Sequence, residues 1–211
     1  MKNLLIIASI ICLLVSCVKE ESSERISEMQ KKDVKESISK IKINKETEID
    51  SAKSAIKIFA GALKTELKKA MEEGGPVNAI SVCNTKAMSI TNKVSEEQGL
   101  KLSRVSLKNR NHNNAPNDWQ RKVLEDFETR KSKGEEIKSL IYSEVIEQIN
   151  GKQFRFMKAI PTGEICVLCH GTNIASGTRI KLDELYPEDK ATGFNIGDIR
   201  GAFVVTKAFH K

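Results

Sequence analysis

Cys166 and Cys169 stand three positions apart and His170 follows at once, in the run ICVLCHG at 165–171. Several chemistries use thiols at that spacing. A structural zinc site needs four ligands, and the chain has no second CxxC and no HxxxH pair to complete one. A thioredoxin-type dithiol opens a helix after a strand in a βαβ unit, whereas a hairpin pattern precedes this run. A disulfide across two residues closes a small loop and gains little. Attachment of c-type haem uses all three residues. Each thiol adds its sulfur and hydrogen across one haem vinyl group, and the adjacent histidine reaches the iron. The spacing therefore predicts one covalent haem c per chain on Cys166 and Cys169, with His170 as an axial ligand.

Haem iron takes a sixth ligand, and the sequence offers Cys83, His112, His210 and the methionines Met71, Met88 and Met157. Methionine is more often core filler than ligand. His112 lies in the polar loop NRNHNNAPN, and His210 is one residue from the end, so both read as exposed. Cys83 is the odd cysteine of five once the others have roles, which calls for an explanation. Its ordinary role on an apolar helix face is that of a small core hydrophobe. The residues alone leave the sixth position open. Arg104, Arg110, Lys190 and Arg200 are cations available to the haem propionates, although solvated surface charge is the commoner role for any one of them.

The N-terminus bears on where this chemistry takes place. MKNLLIIASIICLLVSC has one lysine, an apolar run from Leu4 to Val15, then a small residue and a cysteine. The run is too short for a stable spanning helix and fits an export signal. Leu14-Val15-Ser16-Cys17 resembles the lipobox of bacterial lipoproteins, which implies cleavage after residue 16 and lipidation of Cys17. Acyl chains there anchor a protein on a bacterial membrane without a spanning helix. Cys12 departs with the signal. The expected location is outside the cytoplasm, on a membrane, which suits c-type attachment and argues against nucleic acid as a partner.

The formal charge is +7 over 211 residues, unevenly spread. Residues 18–48 hold eight basic and eight acidic side chains and no aromatic ring, so with Lys2 set aside the remaining +6 lies in 49–211. A segment of that composition buries no core and reads as a tether, 17–48 with the lipidated cysteine. As a coil its ~30 residues reach roughly 30 Å. Val34, Ile38 and Ile41 fall at helical spacing within it. A basic folded domain suits an anionic cofactor, an acidic partner or anionic lipid, and equally a plain solvated surface.

The elements that position the site are readable from periodicity. Ile49, Ala52, Ile56, Phe59, Leu63, Leu67 and Ala70 recur at helical spacing up to Gly74-Gly75, and Pro76 opens a second helix. Its face is Val77, Ile80, Cys83, Ala87, Ile90 and Val94, ending at Gly99. Residues 100–107 read as a strand and 109–117 as a loop. A helix follows from Trp119 to about Lys131, capped by Asp118, with Trp119, Val123 and Phe127 inward. The period then becomes two on either side of Asn150-Gly151, a hairpin signal. The cysteine run comes next, and IRGAFVVTKAF makes a last strand. Helices first and antiparallel strands after them define α+β. The predicted folded domain is 49–211.

The stretches AISVCNTKAMS, RNHNNAPNDW, CVLCHG and YPEDKATGFNIGDIRGAF occur in this order. With them the chain, over about residues 50–211, resembles a family of exported haem proteins known as Tll-like after a cyanobacterial prototype. The resemblance implies a PAS-like fold, helices packed on an antiparallel sheet, with one c-type haem. It implies axial ligation by His170 and Cys83. One departure is visible: this chain has His112 where proline usually follows the Arg-Asn pair, which leaves His112 a weak rival.

A thiolate donor pushes electron density onto iron, stabilises the ferric state and lowers the potential, whereas methionine raises it. On reduction that bond weakens and Cys83 takes back a proton. This makes a redox or diatomic-gas sensor the expected function, signalling through an unknown partner because the chain has no output domain of its own. A single-haem electron carrier is the alternative. An enzyme such as a peroxidase is disfavoured, since no distal acid–base constellation is visible and a sixth protein ligand blocks the iron. Whether two copies pair through residues 20–45 is open.

Overall fold

A computed structural model of the chain describes residues 31–32 and 35–210. The signal segment 1–16, Cys12, Cys17, Val34 and most of the tether's first half lie outside the described residues. Among the described residues no helix is long and apolar enough to cross a membrane.

The long helical stretch α1 (Lys45–Glu97) starts where Asn44 can cap it, its side chain accepting from the backbone N–H of Glu46 at 3.1 Å and Thr47 at 3.3 Å. It is two helices in one. Gly74 and Gly75 have non-helical backbone, Gly75 at φ 64°, and Pro76 opens the second half. Only glycine takes that φ without strain. The Asn78 amide donates to the carbonyl of Ala70 at 3.2 Å and so satisfies an acceptor the break would strand.

The sheet has the order β1-β4-β3-β2, with β1 (Lys101–Val105), β2 (Ile141–Gln148), β3 (Gly151–Pro161) and β4 (Ile199–His210). β1 and β4 are antiparallel, with Arg104 opposite Phe203 and Val105 opposite Ala202. The first strand therefore lies beside the last, in the PAS-like antiparallel sheet expected. The hairpin forms as read, with its two-residue loop one position earlier, at Ile149-Asn150. Gly151 is already in β3, where a Cβ would run into the Phe209 carbonyl. Close approach of β4, and not the turn, is what requires glycine there.

α2 (Asp118–Ser132) covers one face. Val123, Leu124 and Phe127 pack with Leu140, Met157, Ala159, Ile199, Ala202 and Val204. Its N-cap is Asn117 and not Asp118: Asn117 and Gln120 form a reciprocal capping box, and Asp118 is the first helical residue. A carboxylate in the first turn still favours the helix dipole. The first half of α1 meets the sheet through Phe59, whose ring sits edge-on to Phe203 at 6.0 Å. Two short helices complete the domain, α3 (Glu164–His170) and α4 (Ser176–Leu185).

The chain divides into two units. The larger, Ile43–Ile146 with Gln153–Ala208, contains Cys83, Arg104, Arg110, Cys166, Cys169, His170, Asp189 and Arg200. The described part of the smaller is residues 31–32, 35–42, 147–152 and 209–210. Within it residues 35–39 are helical, Ile38 is buried, and the Lys152 ammonium donates to the carbonyl of Ile41 at 2.9 Å.

Candidate functional site

The cysteine–histidine run is the helix α3. Cys166 and Cys169, three apart, fall on one side of it, both half-buried and unbridged. The helix stops at Gly171, whose N–H donates to the Val167 carbonyl at 2.9 Å. A Cβ at 171 would stand 2.5 Å from that same oxygen, so a side chain there would pry the turn open. The backbone then pairs with the segment after α4. Phe194 N–H donates to His170 O and Gly193 N–H to Gly171 O, each at 3.0 Å.

His170 is oriented by its own ring. Nδ1 lies 2.7 Å from the Ala191 carbonyl and 3.2 Å from Arg200 Nε. These contacts demand opposite tautomers, and the shorter one decides. A carbonyl oxygen only accepts, so Nδ1 carries the proton and donates it to Ala191. Nε2 then keeps its lone pair free. Burial, and after it the charges of Arg200 and Arg110, push the His170 pKa down to about 2; the Ala191 hydrogen bond opposes this and Arg104 adds slightly to it. The ring is neutral at any physiological pH, as a ligand must be.

Cys83 and His170 line the same cavity, of about 430 Å³. Arg104, Arg110 and Arg200 line it too, as do Tyr186 and Met88. A second hollow of about 250 Å³, walled by Phe59, Leu63 and Leu67 of α1, shares the three arginines and His170. Leu63 and Leu67 are half-buried for that reason: the surface they face is a cavity and not packed core. Burial raises the Cys83 pKa, with Arg104 and then Arg110 opposing. Isolated from metal, the thiol is held protonated.

The three arginines differ. Arg110 is 12% exposed and paired with Asp189, 4% exposed, at 3.0 Å. It also donates to the Cys169 carbonyl at 2.5 Å. Its charge is already answered, so its expected role toward propionates is not the one its contacts show. Arg104 lies over the Phe59 ring at 5.2 Å, opposite Phe203 on the neighbouring strand. Arg200 donates to Ser106 Oγ at 3.1 Å and the Lys108 carbonyl at 3.2 Å, and covers Phe194 at 5.1 Å. Burial, then the repulsion of Arg110, lower its pKa to about 10, against the pull of Asp189. Among the described residues neither Arg104 nor Arg200 has a carboxylate partner. The Arg200 Nε–H, facing a protonated Nδ1, has no acceptor there. Lys190 contributes its backbone N–H to the Asn109 carbonyl.

The rival ligands fare unequally. His112 is exposed on a 3-10 turn and lines a different hollow, beside Asn84 and Glu188. His210 is exposed at the end of β4, and Met157 is fully buried in the α2-side core. Met88 reaches the Cys83 cavity but is 51% exposed. Among the described residues no group of three or more His, Cys, Asp or Glu is placed to hold a bare metal ion. The donors that do face one another, one imidazole and one thiol, suit a metal that brings its own equatorial ligands. Reading the sequence missed Asp189 as a site residue. Its signal was local: an aspartate accepting from the N–H two residues on, here Ala191 at 2.7 Å, is an Asx-turn within PEDKATG.

The architecture is thus an α+β domain in which a broken helix and a cysteine–histidine turn face one cationic cavity. The sequence profile of the Tll0287-like family matches residues 19–207, and the chain belongs to that family. The crystal structure of the cyanobacterial heme-protein Tll0287 matches with a TM-score of 0.57 at 23% identity, over 80% of this chain and 99% of that one. At that identity the likeness is one of fold. No curated protein matches the chain.

Proposed function

We propose that this chain binds one c-type haem through Cys166 and Cys169, with His170 and Cys83 as axial ligands, and acts as a redox or diatomic-gas sensor. Cys17 would hold it, lipidated, on a bacterial membrane outside the cytoplasm. One observation carries the reading: a neutral imidazole with its Nε2 free and a thiol line one cavity together with two half-buried arginines, Arg104 and Arg200, that lack carboxylates. The donor set fits the group. Arg104 and Arg200 of the cavity would answer two carboxylates, Cys166 and Cys169 of α3 would answer two vinyl groups, and the family's namesake is a heme-protein.

Bound haem supplies a one-electron couple and a site for small diatomic ligands. The chain does the rest. Ala191 fixes the His170 ring. Cys83 would carry the switch, since burial favours its protonated form and only a strongly withdrawing metal would hold the thiolate. A proton returning to Cys83 Sγ would free the second half of α1, just past its glycine break, to shift. A single-haem electron carrier is favoured by one different observation: Ile165 and Leu168 are 49% and 44% exposed on the helix that bears the cysteines, an apolar rim for a redox partner.

The test uses the mature chain from a host that matures c-type cytochromes. One haem's mass retained on denaturation, lost in Cys166→Ala/Cys169→Ala, is the expected result. A colourless product ends the proposal. Loss of the sulfur ligand on reduction, with uptake of CO or NO, favours the sensor. A high potential with six-coordinate spectra in both states favours the carrier. Cys17→Ala should move the chain from the membrane to the soluble fraction.

A further inference from the structure

The Ala191 carbonyl serves two donors at once. His170 Nδ1 lies at 2.7 Å and Arg110 Nη2 at 3.3 Å. Asp189 stands behind both. Its Oδ2 accepts from Arg110 Nε at 3.1 Å, and its Oδ1 accepts from the N–H of Ala191 itself at 2.7 Å. Arg110 Nη2 also grips the Cys169 carbonyl, one residue before His170. A buried ion pair is thus connected through one residue, Ala191, to the back of the histidine ring.

From this juxtaposition we propose that Arg110 and Asp189 are positioning residues that set the electron donation of His170, and with it the reduction potential, in opposite senses. The proposal rests on the haem reading above. Its logic is electrostatic. A carbonyl that already accepts from a guanidinium is a poorer acceptor for Nδ1–H, so the imidazole keeps less anionic character and donates less to iron. Arg110 also places a positive charge near the site. Both effects favour the ferrous state. Asp189 draws the guanidinium toward itself and cancels its charge, which favours the ferric state. A residue that merely held the loop in place would not produce opposite signs in the two partners.

The experiment compares wild type, Arg110→Gln, Asp189→Asn and the double variant, each produced as loaded full chain and titrated by spectroelectrochemistry. Arg110→Gln should lower the potential by a tenfold change in the ferrous/ferric ratio, ~59 mV for a one-electron couple. Asp189→Asn should raise it by a similar factor, and the double variant should return close to wild type. Single variants that shift together, or that leave the potential where it was, overturn the proposal. Should either single variant come out without haem, Arg110→Lys is titrated. It keeps the charge and loses the fork, so it should fall in the same direction as Arg110→Gln but less. An unchanged potential in that loaded variant counts against the proposal as well. A wild-type chain that gains no haem mass sinks the haem reading itself. A loaded wild type whose variants shift together sinks this inference alone.

Discussion

The two sides of the cavity are built differently. On the His170 side the ring, the carbonyl before it and the backbone after it are all tied down, by Ala191, Arg110, Phe194 and Gly193. Even the missing side chain at Gly171 is needed for the turn. On the Cys83 side, among the described residues, nothing hydrogen-bonds the thiol. Its neighbours Asn84 and Met88 are exposed, and its helix begins at a two-glycine break. Hydrogen bonds hold a ligand in one geometry, and their absence leaves only packing to do so. One donor is fixed by the fold. The other is held by packing alone, the asymmetry that the proposed redox gating would use.

The largest test of that contrast removes each donor in turn. In the loaded protein His170→Ala should alter the spectrum in both oxidation states, because the fixed ligand serves both. Cys83→Ser should abolish the ferric low-spin spectrum, leave the ferrous spectrum as in wild type, and raise the potential by more than tenfold in the ferrous/ferric ratio, over ~59 mV. A ferric spectrum unchanged by Cys83→Ser would hand the sixth position to Met88 or His112 and dissolve the contrast.

A smaller effect separates the same two residues by pH, in the haem-free Cys166→Ala/Cys169→Ala chain kept reduced. His170 has a folded pKa near 2, against 6.5 in the open. As pH falls below 6.5 the unfolded chain takes up a proton that the folded chain refuses, so stability declines toward pH 2, by up to ~1.4 kcal/mol per pH unit. Cys83 acts on the other limb. Its folded pKa lies above 9.0, so above pH 9.0 the unfolded chain loses a proton that the folded chain keeps, and stability declines as pH rises. Denaturation midpoints against pH should show both limbs. His170→Asn should flatten the acid one and Cys83→Ser the alkaline one. Acid loss unaffected by His170→Asn would show that the ring is not held neutral by its surroundings.

Much of this was legible from the residues. The CxxCH run pointed to one chemistry above the others because three reactive side chains at fixed spacing leave few alternatives. The Gly74-Gly75-Pro76 break, the hairpin and the strand at 101–105 follow from local backbone preference, which needs no tertiary information. What local rules handled poorly was burial against empty space. Leu63 and Leu67 lie on the expected inward stripe, yet they face a hollow, and periodicity reads a ligand cavity and a packed core alike. The pairing of Arg110 with Asp189 spans 79 residues, and no local pattern announces a contact of that range. The N-cap slipped by one because Asn117 and Asp118 are both good caps, and only the reciprocal bond from Gln120 chooses between them.

That capping box supplies the smallest prediction, and one that guards the others. Asn117 lies at the start of α2, on the sheet face built around Val123, Leu124 and Phe127, and it does not line the cavity shared by Cys83 and His170. Asn117→Ala removes the acceptor for the Gln120 N–H at 3.2 Å and should cost ~1 kcal/mol of stability, read from urea unfolding. The ferric spectrum and the potential should stay at wild-type values. If they drift with this loss of stability, then both oxidation states respond to general loosening of the fold. The shifts seen with Cys83→Ser and Arg110→Gln would then have to be measured against that background before either side of the cavity is credited with them.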